Sequence, residues 1–183
     1  MSQTRVAVLV GSLRAGSLNR RLAALLPDLA PEGTVVELVD GLDALPFYNE
    51  DVDVEGSVPA AATELRARVA AADRVLAVTP EYNGTMPAVL NNAIDWLSRP
   101  YGQGALVGKP FAVVGATPTP YGGKWAHEDA RRSAGVAGAV VVADATVSQS
   151  ALEVDVLTDE GVRDKLRAAL RTLVESEPQV AAA

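Results

Sequence analysis

A loop of small and hydroxyl residues with one arginine follows the first apolar run of the chain. The run spans residues 6–10 and stops at Gly11, and the loop then carries four polar side chains, Ser12, Arg14, Ser17 and Asn19. A strand, a short polar loop and a helix N-terminus together favour an anion, because N–H groups and the helix dipole face the loop. A guanidinium adds two-point contact with phosphate oxygens. The alternative is that Ser17 only caps the helix and Arg14 is solvated.

The same loop matches neither common nucleotide fingerprint. Gly11 and Gly16 are its only glycines, so the Gly-x-Gly-x-x-Gly pattern is missing. A Walker A loop is also missing, because no Lys-Ser/Thr pair closes this stretch. We therefore expect a phosphorylated ligand that is bound in another way.

Two further loops could contact a ligand. The second contains five residues between two prolines that could meet a heteroaromatic ring through backbone groups: Pro80, Glu81, Tyr82, Asn83 and Gly84. We interpret Glu81 as a structural or ring-edge residue, because no partner for general-base chemistry is identifiable. The third loop includes Thr117, Tyr121 and Gly122, and its paired glycines permit close backbone approach. The alternative for both loops is a turn without a ligand.

Other catalytic classes lack their residues, and we predict no catalytic side chain and no metal site. The only histidine, His127, lies on a predicted helix beside Glu128 and Asp129 and is expected at the surface. No Gly-x-Ser-x-Gly elbow is present. The neighbouring Glu50, Asp51 and Asp53 are interpreted as a solvated charge run. The chain has no cysteine, which excludes thiolate nucleophiles and iron–sulfur ligation.

Length and charge narrow the class of protein further. A chain of 183 residues suits a single domain, 1–183, with an ordered core of about 5–175. The net charge of −7 argues against nucleic acid as a partner. No apolar run approaches the ~20 residues that cross a bilayer. The first strand begins almost at the N-terminus, so we expect no signal peptide and a cytoplasmic protein.

Strand patterns and helix patterns alternate along the chain. Strands are predicted at 5–10, 34–39, 74–79, 110–115 and 139–142, and helices at 20–29, 59–72, 87–97, 123–134 and 159–175. A long loop spans 46–59, and the tail after Glu177 is expected to fray. This alternation predicts an α/β fold with three layers. We expect a five-stranded parallel sheet in the flavodoxin-like order 2-1-3-4-5, with helices on both faces. Ligands of such sheets bind beyond the carboxyl ends of the strands, where all three loops emerge.

Two motifs resemble those of the NADPH-dependent FMN reductase family, which includes bacterial quinone, azo-dye and chromate reductases. The first is the loop that carries Gly11, Ser12, Leu13, Arg14, Ser17 and Asn19. The second is the run 79–84, which continues into Pro87, Leu90, Asn92, Asp95 and Trp96. Smaller similarities are Pro46-x-Tyr48-Asn49-x-Asp51 and Gly108-Lys109-Pro110. The resemblance covers roughly residues 5–175.

The resemblance implies non-covalent FMN on a flavodoxin-like fold. Ser12, Arg14, Ser17 and Asn19 would hold the phosphate, which explains why the loop needs no diphosphate fingerprint. Residues 80–84 would meet the isoalloxazine, largely through backbone groups, and residues 117–122 would flank the ring and ribityl chain. The third loop departs from many relatives, which carry a serine soon after the strand, although Thr117 can supply the same hydroxyl.

The resemblance also implies a homodimer or homotetramer, with the 49–53 loop near the partner's flavin. The apolar residues of 89–97 surround the predicted helix, which favours a second buried face against another subunit. The alternative is a helix buried deep in the monomer.

The implied activity is FMN-dependent NAD(P)H oxidation by a ping-pong mechanism. NADPH or NADH would reduce FMN, and a quinone, free flavin or other small-molecule acceptor would then take the hydride over the same ring. Two alternatives stay open, a flavodoxin-like electron carrier without efficient NAD(P)H turnover and a flavin-binding regulatory module.

Overall fold

The computed structural model describes residues 3–179, which form five α-helices and six β-strands. The strands are β1 (Thr4–Val10), β2 (Thr34–Val39), β3 (Arg74–Val78), β4 (Pro110–Thr117), β5 (Val140–Val141) and β6 (Val147–Ser150). The helices are α1 (Leu18–Leu29), α2 (Ala60–Ala70), α3 (Ala88–Leu97), α4 (Lys124–Val136) and α5 (Glu160–Glu175). Within this described range, no helix is both long and apolar enough to cross a bilayer.

The sheet confirms the predicted flavodoxin-like order and corrects the number of strands. Its order is β2-β1-β3-β4-β5, and all of its pairs are parallel. The fifth strand, expected at 139–142, is present as β5 but is shorter, and a 3₁₀ turn at Ala143–Ala145 separates it from β6. The two-residue strand β5 pairs with the start of β4, and β6 pairs with its end, at 114–117. The sequence pattern missed β6 because Ser148, Gln149 and Ser150 are polar, whereas the pairing uses backbone groups.

Successive residues of the central strands point to opposite faces, and each face has its own core. On β1, Ala7 and Leu9 join the core beneath α2, α3 and α4, whereas Val6, Val8 and Val10 join the core beneath α1 and α5. Strands buried on both faces are expected to read as continuous apolar runs, as β1 and β4 do. The sheet is therefore a rigid platform whose carboxyl edge positions the loops.

Burial within the chain accounts for the apolar residues of α3. Leu90, Ala93, Ile94, Trp96 and Leu97 are all buried in a single copy of the protein. The alternative interpretation, a helix buried in the monomer, therefore explains the pattern without a second subunit.

The two ends of the fold differ slightly from the sequence patterns. Helix α1 begins two residues before the predicted start, because Ser17 is its N-cap. In the tail that we expected to fray, the backbone N–H of Gln179 donates to the Gly108 carbonyl at 2.9 Å. The rest of that tail, residues 180–183, lies outside the described residues, as do residues 1–2.

Candidate functional site

The topology brings the three predicted loops to one edge of the sheet. Strands β1, β3 and β4 are adjacent and parallel, so their carboxyl ends lie side by side. Backbone bonds continue past the strands, since Gly11 N–H donates to the Val78 carbonyl at 2.9 Å and Thr79 N–H donates to the Val114 carbonyl at 3.1 Å. The loops that begin at 11, 79 and 117 therefore leave the sheet together, as the sequence predicts.

The first loop combines buried hydroxyls with an exposed arginine. The Ser17 hydroxyl accepts from the backbone N–H of Arg20 at 3.2 Å, so the capping role proposed as an alternative is present. Ser12 and Ser17 are buried, while Arg14 is exposed and donates a long 3.4 Å hydrogen bond to the Gly16 carbonyl. The guanidinium keeps most of its five donors for another acceptor.

Asn19 joins α1 to the end of β4. Its Oδ1 accepts from the Ala116 N–H, and its Nδ2 donates to the Ala116 carbonyl, each at 2.9 Å. The buried side-chain amide thus pairs with both backbone groups of Ala116, as the backbone of a neighbouring strand would. One hydrogen of Nδ2 is not used by these two bonds. A phosphate contact by Asn19 stays a prediction, and its bonds to Ala116 give it a second role in holding the first loop beside the third.

The second loop is a tight hairpin rather than an irregular turn. Tyr82 and Thr85 exchange two backbone hydrogen bonds, of 3.0 and 3.1 Å. The two residues between them have positive φ, 53° at Asn83 and 75° at Gly84. Positive φ at both central positions is the type I′ turn, for which Asn-Gly is the preferred pair. The Asn83-Gly84 dipeptide could have predicted this hairpin, which fixes Tyr82 at the edge with half of its surface exposed.

Helix α4 holds the second loop by side-chain contacts. The Glu81 carboxylate accepts from the N–H groups of Trp125 and Ala126 at 3.0 and 3.2 Å, so it caps the helix N-terminus. Asp129 accepts from the Thr85 hydroxyl. These contacts support the structural interpretation of Glu81 rather than a general-base role.

The expectation that His127 is a surface residue is wrong. Its side chain is fully buried, with Nδ1 2.7 Å from the Ser148 hydroxyl and Nε2 3.3 Å from the Thr79 carbonyl. Burial lowers the pKa of His127 to about 4, and the positive charge of Arg131 acts in the same direction. The Thr79 carbonyl opposes this shift of the pKa. The imidazole of His127 is therefore neutral near pH 7. It lies beneath the start of the second loop, between Thr79 and Ser148.

The third loop is shaped by its paired glycines. Gly122 and Gly123 have φ of 63° and 88°, which a residue with a side chain rarely adopts. The hydroxyls of Thr117 and Thr119 lie 2.8 Å apart. The exposed ring of Tyr121 lies against Trp125, with 4.5 Å between centroids. Tyr82, Tyr121 and Trp125 thus give this edge three partly exposed aromatic rings.

The acidic loop is not simply the solvated run that we expected. Asp53 forms a two-point ion pair with Arg66, with both N–O distances at 2.7 Å, and its side chain is only 8% exposed. Glu50 and Asp51 are exposed, as expected. Asp53 was misjudged because its partner lies on the next helix. Among residues 3–179, no cluster of His, Cys, Asp or Glu could hold a metal ion.

An open cavity of about 450 Å³ adjoins the second loop. Its lining comprises Tyr82, Asn83, Asn91 and residues 85–88. A larger cavity of about 520 Å³ lies between the ends of α3 and α4, where Tyr101 and Val136 are exposed. The first cavity, not the larger one, coincides with the predicted ring-binding loop.

Comparison with known proteins gives consistent results. Residues 4–152 match the family described as NADPH-dependent FMN reductase. A quinone reductase of Pseudomonas putida is 48% identical over 134 residues, which cover 73% of this chain and 71% of that protein. A 2-hydroxy-1,4-benzoquinone reductase of a Burkholderia species is 46% identical over 113 residues, or 62% of this chain and 60% of that protein.

A solved structure extends the similarity to most of the chain. FerB, a flavoenzyme NAD(P)H:(acceptor) oxidoreductase from Paracoccus denitrificans, superposes with a TM-score of 0.82. It is 34% identical, and the match covers 94% of this chain and 96% of FerB. The family match over residues 4–152 includes all three loops together with α1 and α4.

Proposed function

Because the chain belongs to the NADPH-dependent FMN reductase family, we propose that its three loops hold FMN for the reduction of a quinone. The protein is an NAD(P)H-dependent oxidoreductase with FMN as its cofactor. The observation that supports the assignment of the loops is their convergence at one sheet edge, with Ser12, Arg14 and Ser17 on the first loop and a type I′ hairpin on the second.

The first loop fits the phosphate end of FMN. A phosphomonoester needs several N–H or O–H donors and one or two positive charges, without the extended cradle of a diphosphate. The N-terminal amides of α1, the hydroxyls of Ser12 and Ser17 and the guanidinium of Arg14 supply this set. A Cβ added at Gly16 would meet no atom within 4 Å, so the loop has open space on its outer side.

The second loop fits the ring end. The type I′ hairpin and its contacts with α4 keep the backbone groups of residues 80–84 in fixed positions. Fixed donors and acceptors can recognise the edge of a heteroaromatic ring at low entropic cost. Tyr82 would then border the space above the ring in which nicotinamide and acceptor alternate. FMN would supply the hydride chemistry when bound, and the protein would bind and orient the reactants.

The proposed reaction can be tested with the FMN-loaded protein in the absence of oxygen. Addition of NADPH or NADH should bleach the yellow flavin band within seconds, and subsequent addition of p-benzoquinone should restore it. Free FMN at the same concentration is the control. Bleaching no faster than that of free FMN would overturn the proposal. Steady-state rates with a panel of acceptors would then rank quinones against free flavins.

Arg14→Ala should weaken FMN binding by about tenfold to a hundredfold, since a hydrogen bond to a charged group contributes about 1.5–3 kcal/mol. Quenching of flavin fluorescence measures the dissociation constant. Arg21→Ala is the matched control, because Arg21 is an exposed arginine within α1 rather than on the loop. Equal dissociation constants for the Arg14→Ala and Arg21→Ala variants would show that Arg14 does not contact the phosphate.

We also propose that the protein is a homodimer or homotetramer in the cytoplasm, where NAD(P)H is available. The nearly full exposure of Tyr101 and Val136, 86% and 83%, supports an interface beside the groove between α3 and α4. Exposed apolar residues around a groove are typical of protein interfaces. Light scattering after gel filtration would test the oligomeric state, and a monomer at micromolar concentration would contradict it.

A further inference from the structure

The first two turns of α4 carry the side-chain contacts that dock the second loop. Glu81 caps the N–H groups of Trp125 and Ala126, and Asp129 accepts from Thr85 and Met86. His127 lies between these contacts and reaches the start of the loop, at the Thr79 carbonyl. The loop is thus held at its beginning by His127, near its middle by the helix N-terminus and at its end by Asp129.

The hydrogen-bond partners of His127 define its tautomer. A backbone carbonyl only accepts, so the neutral imidazole must carry its proton on Nε2 and donate to Thr79. Nδ1 is then an acceptor, and the Ser148 hydroxyl donates to it. Burial keeps the pKa of His127 near 4, so this neutral form persists near pH 7.

Two glycines make the slot in which the imidazole sits. A Cβ at position 115 would lie 2.8 Å from His127 Nε2, and a Cβ at position 123 would lie 3.3 Å from it. Position 115 is near the end of β4, and position 123 ends the third loop. The imidazole therefore touches the second loop, β4, the third loop and β6 at once. No general-base role is available to a ring so enclosed.

We propose that His127 is a positioning residue that sets the orientation of the flavin-binding second loop by holding the Thr79 carbonyl. This inference rests on the proposed placement of the flavin ring at that loop. Thr79 immediately precedes Pro80, whose fixed φ transmits the direction of the chain into the loop. A rotation of the Thr79 peptide would therefore redirect the backbone groups of residues 80–84 together. The imidazole is well suited to hold it, because its donor and its acceptor are fixed in one rigid ring.

Three variants separate positioning from simple core packing. His127→Leu fills the slot without hydrogen bonds, whereas His127→Gln retains one donor and one acceptor of similar reach. Arg131→Ala is the matched control, because Arg131 lies on the same helix but donates to Thr146 at 2.7 Å, away from all three loops. Each variant is measured for its urea midpoint without FMN, its FMN dissociation constant and the shape of the bound flavin absorption band.

We expect His127→Leu to weaken FMN binding at least tenfold and to alter the flavin band, whereas His127→Gln should stay within about threefold of the wild type. The Arg131→Ala variant should bind FMN normally even if its urea midpoint falls. If His127→Leu lowers the urea midpoint but leaves the dissociation constant and the band unchanged, His127 is only a core residue and the inference is wrong. Failure of the Gln variant to rescue FMN binding would equally count against it.

Hydrogen exchange in the FMN-free protein distinguishes this inference from the proposed function. His127→Leu should accelerate exchange of the Tyr82 and Thr85 amides, which the hairpin protects. Because this exchange is measured without FMN, the expected acceleration does not depend on whether the flavin binds at the second loop. Should the Leu variant fail to fold, Ser148→Ala removes only the donor to Nδ1 and should produce the same changes at smaller size. Unchanged exchange and FMN affinity in the Ser148→Ala variant would overturn the inference.

Discussion

Gly115→Ala should abolish FMN binding and destabilise the fold by about 3 kcal/mol, the upper end of typical overpacking. A Cβ at this position would lie 2.1 Å from the Thr79 carbonyl oxygen and 3.1 Å from Asn19 Oδ1. The first of these atoms belongs to the backbone and cannot move without the strand end. The methyl group would therefore displace Thr79, Asn19 and His127, which join the three loops.

Urea unfolding of the FMN-free protein and FMN titration measure these two effects. Gly16→Ala is the matched control for stability, because a Cβ there would contact nothing within 4 Å and the residue does not have positive φ. A small gain in stability is even expected for it, since alanine restricts the unfolded chain. An unfolding midpoint of the Gly115→Ala variant equal to that of Gly16→Ala would show that the close packing at Thr79 is not required.

The sheet order and the position of the site follow from local patterns. Each central strand is an apolar run that ends at glycine, proline or threonine, and each is followed by a helical pattern. That alternation fixes parallel pairing and brings the strand ends to one edge. Strand β6 lacked such a signal, because Ser148, Gln149 and Ser150 are polar and contribute to the sheet only through their backbone.

The side chains that the sequence misjudged all depend on distant partners. His127 bonds to Thr79, 48 residues away, and to Ser148, 21 residues away. Asp53 pairs with Arg66, which lies 13 residues further along the chain on α2. No periodicity or spacing encodes such pairs. A charged or titratable residue without a local partner is therefore predicted at the surface, where most such residues lie. Ser17 shows the opposite case, since a cap acts within three residues and is visible in the sequence.

The Asp53–Arg66 pair anchors the 46–59 loop to the helices below it. Arg66 also donates to the Trp96 carbonyl at 2.9 Å and lies over the Trp96 ring, with 5.3 Å between Cζ and the centroid. Trp96 Nε1 donates to the Pro46 carbonyl at 2.9 Å, at the start of the same loop. The start of this loop, at Pro46, is therefore held by Trp96, and its middle, at Asp53, is held by Arg66.

Asp53→Asn should therefore lower the free energy of unfolding by about 3 kcal/mol, near the lower limit for breaking a buried ion pair. The loss arises because Arg66, with its side chain only 19% exposed, would keep its charge without a counter-ion. Urea unfolding at pH 7 measures the difference. Asp51→Asn is the matched control, because Asp51 is exposed and, within residues 3–179, no ion pair includes it. A loss no larger than that of the control would contradict the anchoring role.

The same pair predicts a dependence on pH. The hydrogen bonds from Arg66 and its charge hold the pKa of Asp53 below the ordinary 3.8, against the opposing effect of burial. A carboxyl whose folded pKa is depressed stabilises the protein above the unfolded pKa, and this contribution is lost as the pH falls through the folded pKa. The difference in unfolding free energy between wild type and Asp53→Asn should thus be constant from pH 7 to about pH 5 and shrink below about pH 4. A difference that instead grows on acidification would mean that Arg66 does not stabilise the ionised carboxyl.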